Sequence, residues 1–147
     1  MYQMKDSFAR VEDFVRKCPL LAAFGVVFVN GAVGVIPVAL EYEGSSDVDM
    51  GFDVAGNGHV MRHKIFKLVS RDEDAEINEN FQRFVLEFEH WVDYAHFNGL
   101  TTEVSEDAEA RVWADSQRVE TQNGSRHAIF LHIIEDVAYP INGLKFT

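Results

Sequence analysis

Residues Ser70 to Gly99 read SRDEDAEINENFQRFVLEFEHWVDYAHFNG. Ile77, Phe81, Phe84, Val85, Phe88, Trp91, Val92 and Ala95 recur there at i, i+3, i+4 and i+7, the spacing that gathers side chains on one face of a 3.6-residue helix. Ser70-Arg71-Asp72-Glu73 has the S-x-x-E form of a capping box, and Asp72, Glu73, Asp74 and Glu76 place negative charge where a helix N-terminus is partially positive. Asn98-Gly99 supplies a left-handed stop. A helix of this length with one wide aromatic face must lie on something, so its neighbours along the chain decide the architecture.

Upstream, Val48, Met50, Phe52 and Val54 alternate with Asp47, Asp49, Gly51 and Asp53, the period of a half-buried strand. Asn57-Gly58 suits a hairpin turn, and the partner strand runs from about His59 to Ser70. On it, Val60, Arg62, Lys64, Phe66 and Leu68 share one face, and Met61, His63, Ile65, Lys67 and Val69 the other. Earlier still, Gly25 to Tyr42 is rich in Val, Phe, Ile and Leu, broken by Asn30-Gly31 and Gly34, which reads as short strands joined by a turn. Pro37 cannot donate to a ladder and marks an edge or bulged strand. Phe8, Val11, Phe14 and Val15 predict a first helix over about 6–17, stopped by Pro19. Downstream, extended segments at about 110–120 and 126–138 flank Asn123-Gly124 as a closing hairpin. The expected fold is α+β: one domain over 1–147, with a mostly antiparallel sheet packed by an N-terminal helix and one long central helix.

The 147 residues carry 24 acidic side chains against 13 Lys plus Arg, a formal charge of −11, and 47% are hydrophobic. That composition excludes intrinsic disorder and supports a core without metal or disulfide. The charge repels phosphate over most of the surface, which argues against a sequence-reading DNA or RNA binder. The single Cys18 cannot form an internal bridge and fits a reducing compartment. The N-terminus is polar and no apolar run nears the roughly 18 residues of a membrane span, so a soluble, intracellular protein is expected.

Each candidate for chemistry has a simpler reading. Glu87 and His90 form an E-x-x-H as in di-iron bundles, but the second such motif and the partner Glu helices are missing, so a solvated helix face is expected and a metalloenzyme stands as an alternative. His59 and His63 are about 13 Å apart on a strand, too far to share a metal. His127 and His132 fall on opposite faces of the last strand. Cys18 follows a helix C-terminus, the wrong end for a lowered pKa, and reads as a packing residue despite Arg16 and Lys17 nearby. Gly56-Asn57-Gly58 lacks the following helix of a phosphate cradle. Asp47/Asp49 and Asp72/Glu73/Asp74 lack calcium-loop spacing, and Asn123-Gly124-Ser125 is a turn. No catalytic, cofactor-binding or metal residue is assigned and no cofactor is expected; a binding or assembly protein remains.

Four segments resemble, in order, the small tail-terminator or tail-completion proteins of long-tailed bacteriophages, often called minor capsid proteins. They are Phe14-Val15-Arg16-Lys17-Cys18-Pro19-Leu20-Leu21; Arg62-His63-Lys64-Ile65-Phe66-Lys67-Leu68-Val69-Ser70-Arg71; Ile77-Asn78-Glu79-Asn80-Phe81 with Phe84 and Phe88-Glu89-His90-Trp91-Val92; and Ala128-Ile129-Phe130-Leu131-His132-Ile133-Ile134. The likeness spans about 10–136, although residues 101–109 are more acidic than that group's pattern and a tyrosine of its closing strand is absent. The resemblance implies a virion protein of the head–tail junction, assembled in the bacterial cytoplasm. Six copies would form a ring that caps the tail tube, ends its polymerisation and offers a docking surface to the head–tail connector, with DNA passing through an acidic lumen that does not bind it. On that reading the strand pair around 47–66 reaches a neighbour by strand addition or packing. The competing expectation is a small acidic inhibitor or immunity-type protein that binds a basic partner.

Overall fold

The computed structural model describes residues 4–28, 36–70, 75–121 and 124–140. In chain order these form α1 (Met4–Arg16), α2 (Leu20–Phe24), β1 (Val26–Val27), β2 (Ile36–Phe52), β3 (Gly58–Ser70), α3 (Ala75–Phe97), β4 (Arg111–Thr121) and β5 (Gly124–Tyr139). The strands make one sheet in the order β1-β2-β3-β5-β4, antiparallel except for the short β1–β2 pairing. This is the α+β fold expected from the sequence, with the closing hairpin where the pattern placed it.

Alternation along β3 and β5 sends Phe66 and Leu68, and Ile129, Leu131 and Ile133, to one face, where they are buried. Both long helices lie on that face. Along α3, Phe81, Phe84, Val85, Phe88, Val92 and Ala95 are buried, and Val11, Phe14 and Val15 of α1 join the same core. Successive rings on α3 stand 5.4–5.9 Å apart from Phe81 through Phe84 and Phe88 to Trp91, and Phe14 packs on Trp91 at 4.9 Å. Trp91 and Ile77, read as core, are half-buried at its margin.

α3 ends as its sequence predicts. Gly99 takes φ +74°, and Leu100 N–H donates to Ala95 O at 2.8 Å while Gly99 N–H donates to His96 O, a Schellman closure that only a left-handed residue completes. At the other end the helix starts at Ala75; Ser70 is the buried last residue of β3, and the rest of the capping box, like Asn30-Gly31 and Asn123, lies outside the described residues. The sequence signals did not resolve α2, a single turn between Pro19 and the left-handed Gly25.

Three expectations for the middle of the chain need correction. The segments read as separate strands around Pro37 and Val48 are one 17-residue strand, β2, with register shifts that leave Glu43 and Val48 as bulges. The hairpin turn is not Asn57-Gly58: Gly58 already pairs with Phe52, and the turn spans Asp53 to Asn57, with Gly56 at φ +87° and the Asp53 carboxylate accepting from the N–H groups of Ala55 and Asn57. Val54 therefore sits in the turn. The expected half-buried strand is exposed instead, with Val48, Met50 and Phe52 all largely uncovered.

Candidate interaction surface

The outer part of the sheet is an arm. β4 leaves β5 at the Arg111–Ile134 pair, whereas β3 and β5 stay paired out to Gly58 and Tyr139, so beyond that point only β2, β3 and β5 continue. On β2 here Met50 is 68% exposed and Phe52 84%, and Val54 at the tip has no cover at all. Cross-strand pairing with Val60 and Gly58 puts Met50 and Phe52 on the sheet face that, further in, meets the helices.

Charged side chains hold the arm's shape. His59 lies between two carboxylates, with Nε2 2.9 Å from Asp53 Oδ2 and Nδ1 2.9 Å from Asp136 Oδ2. Two acceptors require both ring nitrogens to donate, which is the imidazolium form. Accordingly, the bond to Asp53, then that to Asp136, raises the His59 pKa, and the bond from His59 holds Asp53 down at about 2. Arg62 Nε donates to Asp47 at 3.1 Å within the arm, and further in, where β4 still pairs with β5, Lys67 bridges Glu43 (2.9 Å) and Glu41 (3.4 Å) across the first bulge. Such exposed pairs add little stability; their effect is to fix the strands' mutual orientation. The outer edge of β2, beyond its first residues, has no neighbour among the described residues, yet two bulges interrupt it and Asp47 and Asp49 flank the second. Those devices oppose pairing with a foreign strand, which leaves side-chain packing as the arm's way to meet a partner.

Where the arm joins the core, Lys64 and Glu135 form an ion pair at 2.5 Å with both residues buried. Lys64 also donates to Ser7 Oγ of α1, and Ser105 Oγ donates to Glu135. The sequence carried a trace of this in two opposite charges on otherwise apolar faces, Lys64 before Phe66 and Leu68 and Glu135 after Leu131 and Ile133. On the sheet's other face, which no described helix covers, His63 Nε2 lies 2.8 Å from His132 Nδ1, His132 Nε2 lies 3.1 Å from Asp115, and Trp113 stacks on His132 at 4.9 Å. These side chains come from three strands, so no local spacing could show them. Burial, then the adjacent His132, lowers the His63 pKa. Among the described residues His63, His132 and Asp115 form one hydrogen-bonded chain across three strands.

The residues singled out from sequence are scattered. Glu87 and His90 are exposed on α3. His59 and His63 serve separate networks, and His127 and His132 lie on opposite faces. Cys18 is 2% exposed, and burial, against bonds from the Leu20 and Leu21 N–H groups, pushes its thiol up to about 11. Asp47 is engaged by Arg62, and Asp49 accepts from its neighbour Met50's N–H. Among the described residues no three His, Cys, Asp or Glu side chains come together as a metal site, and no helix is long and apolar enough to cross a membrane.

Comparison with protein-family models finds no match, and comparison with curated proteins finds none either.

Proposed function

We propose that this chain is a self-assembling structural subunit of the tail-terminator kind, which closes into a ring on the end of a phage tail tube, halts its growth and presents a face to the head–tail connector. The observation that carries the proposal is the arm: a pinned three-stranded extension with Met50, Phe52 and Val54 displayed beyond the core. Fully burying a side chain of this kind gains about 1.5–3 kcal/mol, so the three together contribute about 5–9 kcal/mol per contact, enough to repay much of the cost of association when repeated around a closed ring. The order of the four resembling segments supports the choice of assembly, and the net charge of −11 suits a lumen through which DNA slides. The reading is tested by the protein's mass in solution and, for the assembled form, by negative-stain imaging with isolated tail tubes. Rings seated on tube ends are expected. A permanent monomer that binds a basic partner with strong salt dependence would favour the acidic-inhibitor alternative.

A further inference from the structure

Beyond the short β1 the sheet has two outer edges, β2 and β4, and they are built differently. β2 carries two bulges, and its charged residues, Glu41, Glu43, Asp47 and Asp49, are all acidic. β4 has neither feature. Its eleven residues from Arg111 to Thr121 pair with β5 in one unbroken register, and Arg111 and Arg118 balance Asp115 and Glu120. Every second residue of an antiparallel strand turns its N–H and C=O away from its partner, so β4 offers a straight row of donors and acceptors that no strand meets among the described residues. The ligand such a row fits is another extended, unbulged strand.

We propose that β4 pairs antiparallel with β4 of a second copy about a two-fold axis through Ser116, joining the two sheets into one. The inference is independent of the ring reading, which rests on the arm. Charge favours this occupant, because in a chain of net charge −11 a strand whose own charges cancel is where two copies approach with least repulsion. The other edge that a second copy could supply is β2, and its bulges fall out of step with a straight strand. Symmetry then selects the register. A two-fold axis normal to the sheet pairs residues that share a face, so it passes through a residue rather than between two. Centred on Ser116, all eleven residues pair: Trp113 meets Val119, an aromatic against a β-branched side chain, Ala114 meets Arg118, Asp115 meets Gln117, and no like charges stand opposite each other. Any other centre leaves residues at the strand's ends unpaired, and Asp115 or Arg118 as centre sets a charge directly against its own copy.

The test uses the full chain with Ser116→Cys or Val119→Cys, each first shown by circular dichroism to melt as the parent does. On the axis, the two copies of position 116 have Cα atoms about 4.5–5.5 Å apart, inside the range a disulfide spans, whereas the two copies of position 119 stand about 20 Å apart. Under mild oxidation at about 0.5 M salt, where repulsion between acidic subunits is screened, Ser116→Cys is expected to give a covalent dimer that reductant reverses. Val119→Cys and the parent, whose Cys18 is buried, are expected to give none. In the parent, the amide hydrogens of alternate β4 residues should also exchange more slowly as protein concentration rises. Ser116→Cys that stays uncross-linked, Val119→Cys that cross-links as readily, or β4 exchange that ignores concentration would each overturn the proposal. Rings of the parent on tail tubes without this cross-link would leave the ring reading standing and overturn the β4 contact, and the cross-link in a chain that never forms rings would do the reverse.

Discussion

At Lys64 the fold accepts a buried cation because Glu135 meets it and Ser7 and Ser105 supply further hydrogen bonds. Removing one partner leaves the other charge buried and unpaired, so Lys64→Ala should cost about 3–5 kcal/mol by chemical denaturation, whereas Lys64→Met with Glu135→Leu should lie near the parent. Equal losses in the single and double variants would show that packing, not charge pairing, decides the site. Two histidines should separate by titration. His59, its pKa raised by the bonds to Asp53 and Asp136, favours the folded state while protonated; that contribution is complete below the unfolded value of about 6.5 and fades as pH rises through the folded one. His63, its pKa lowered by burial and by His132, acts in the opposite sense, its contribution present above about 6.5 and lost as pH falls through its folded value. NMR of the ring protons should find His59 titrating above about 6.5 and His63 below it; the reverse order would refute both networks.

At the scale of elements, α3 organises the core through Phe84 and Phe88, which are 0% and 1% exposed. Phe84→Ala or Phe88→Ala should each cost about 3–5 kcal/mol in thermal or denaturant unfolding, and less than about 1 kcal/mol for both would mean the helix face is misassigned. This helix was legible because one amphipathic period, from Ile77 to Ala95, and one stop signal, Gly99, agree locally. The β2–β3 hairpin was only half legible. Alternation at Val48, Met50 and Phe52 does mark a strand, but period two tells which side chains share a face and is silent on whether anything covers that face. The turn was misplaced by the pull of Asn57-Gly58, because the carboxylate of Asp53, which caps a longer loop, leaves no such dipeptide signature. α2 is too short for periodicity to register. The histidine chain and the Lys64–Glu135 pair depend on register between strands far apart in sequence.

For the whole molecule, two terms oppose each other. Apolar surface on the arm and on α3 favours association, while subunits of charge −11 repel one another, and a ring of six would gather six times that charge. The repulsion is screened over a Debye length of about 10 Å at 0.1 M salt and about 3 Å at 1 M, whereas burial of Phe52 and its neighbours does not weaken with salt. Association should therefore strengthen as salt rises, opposite to any complex held by acidic–basic pairing. Light scattering of the purified chain across protein concentration and from about 0.05 to 1 M salt tests this most directly. A monomer in dilute low-salt solution is expected to pass to a closed assembly of defined mass as salt is raised, whereas a chain that stays monomeric at every salt and protein concentration would contradict the proposed ring.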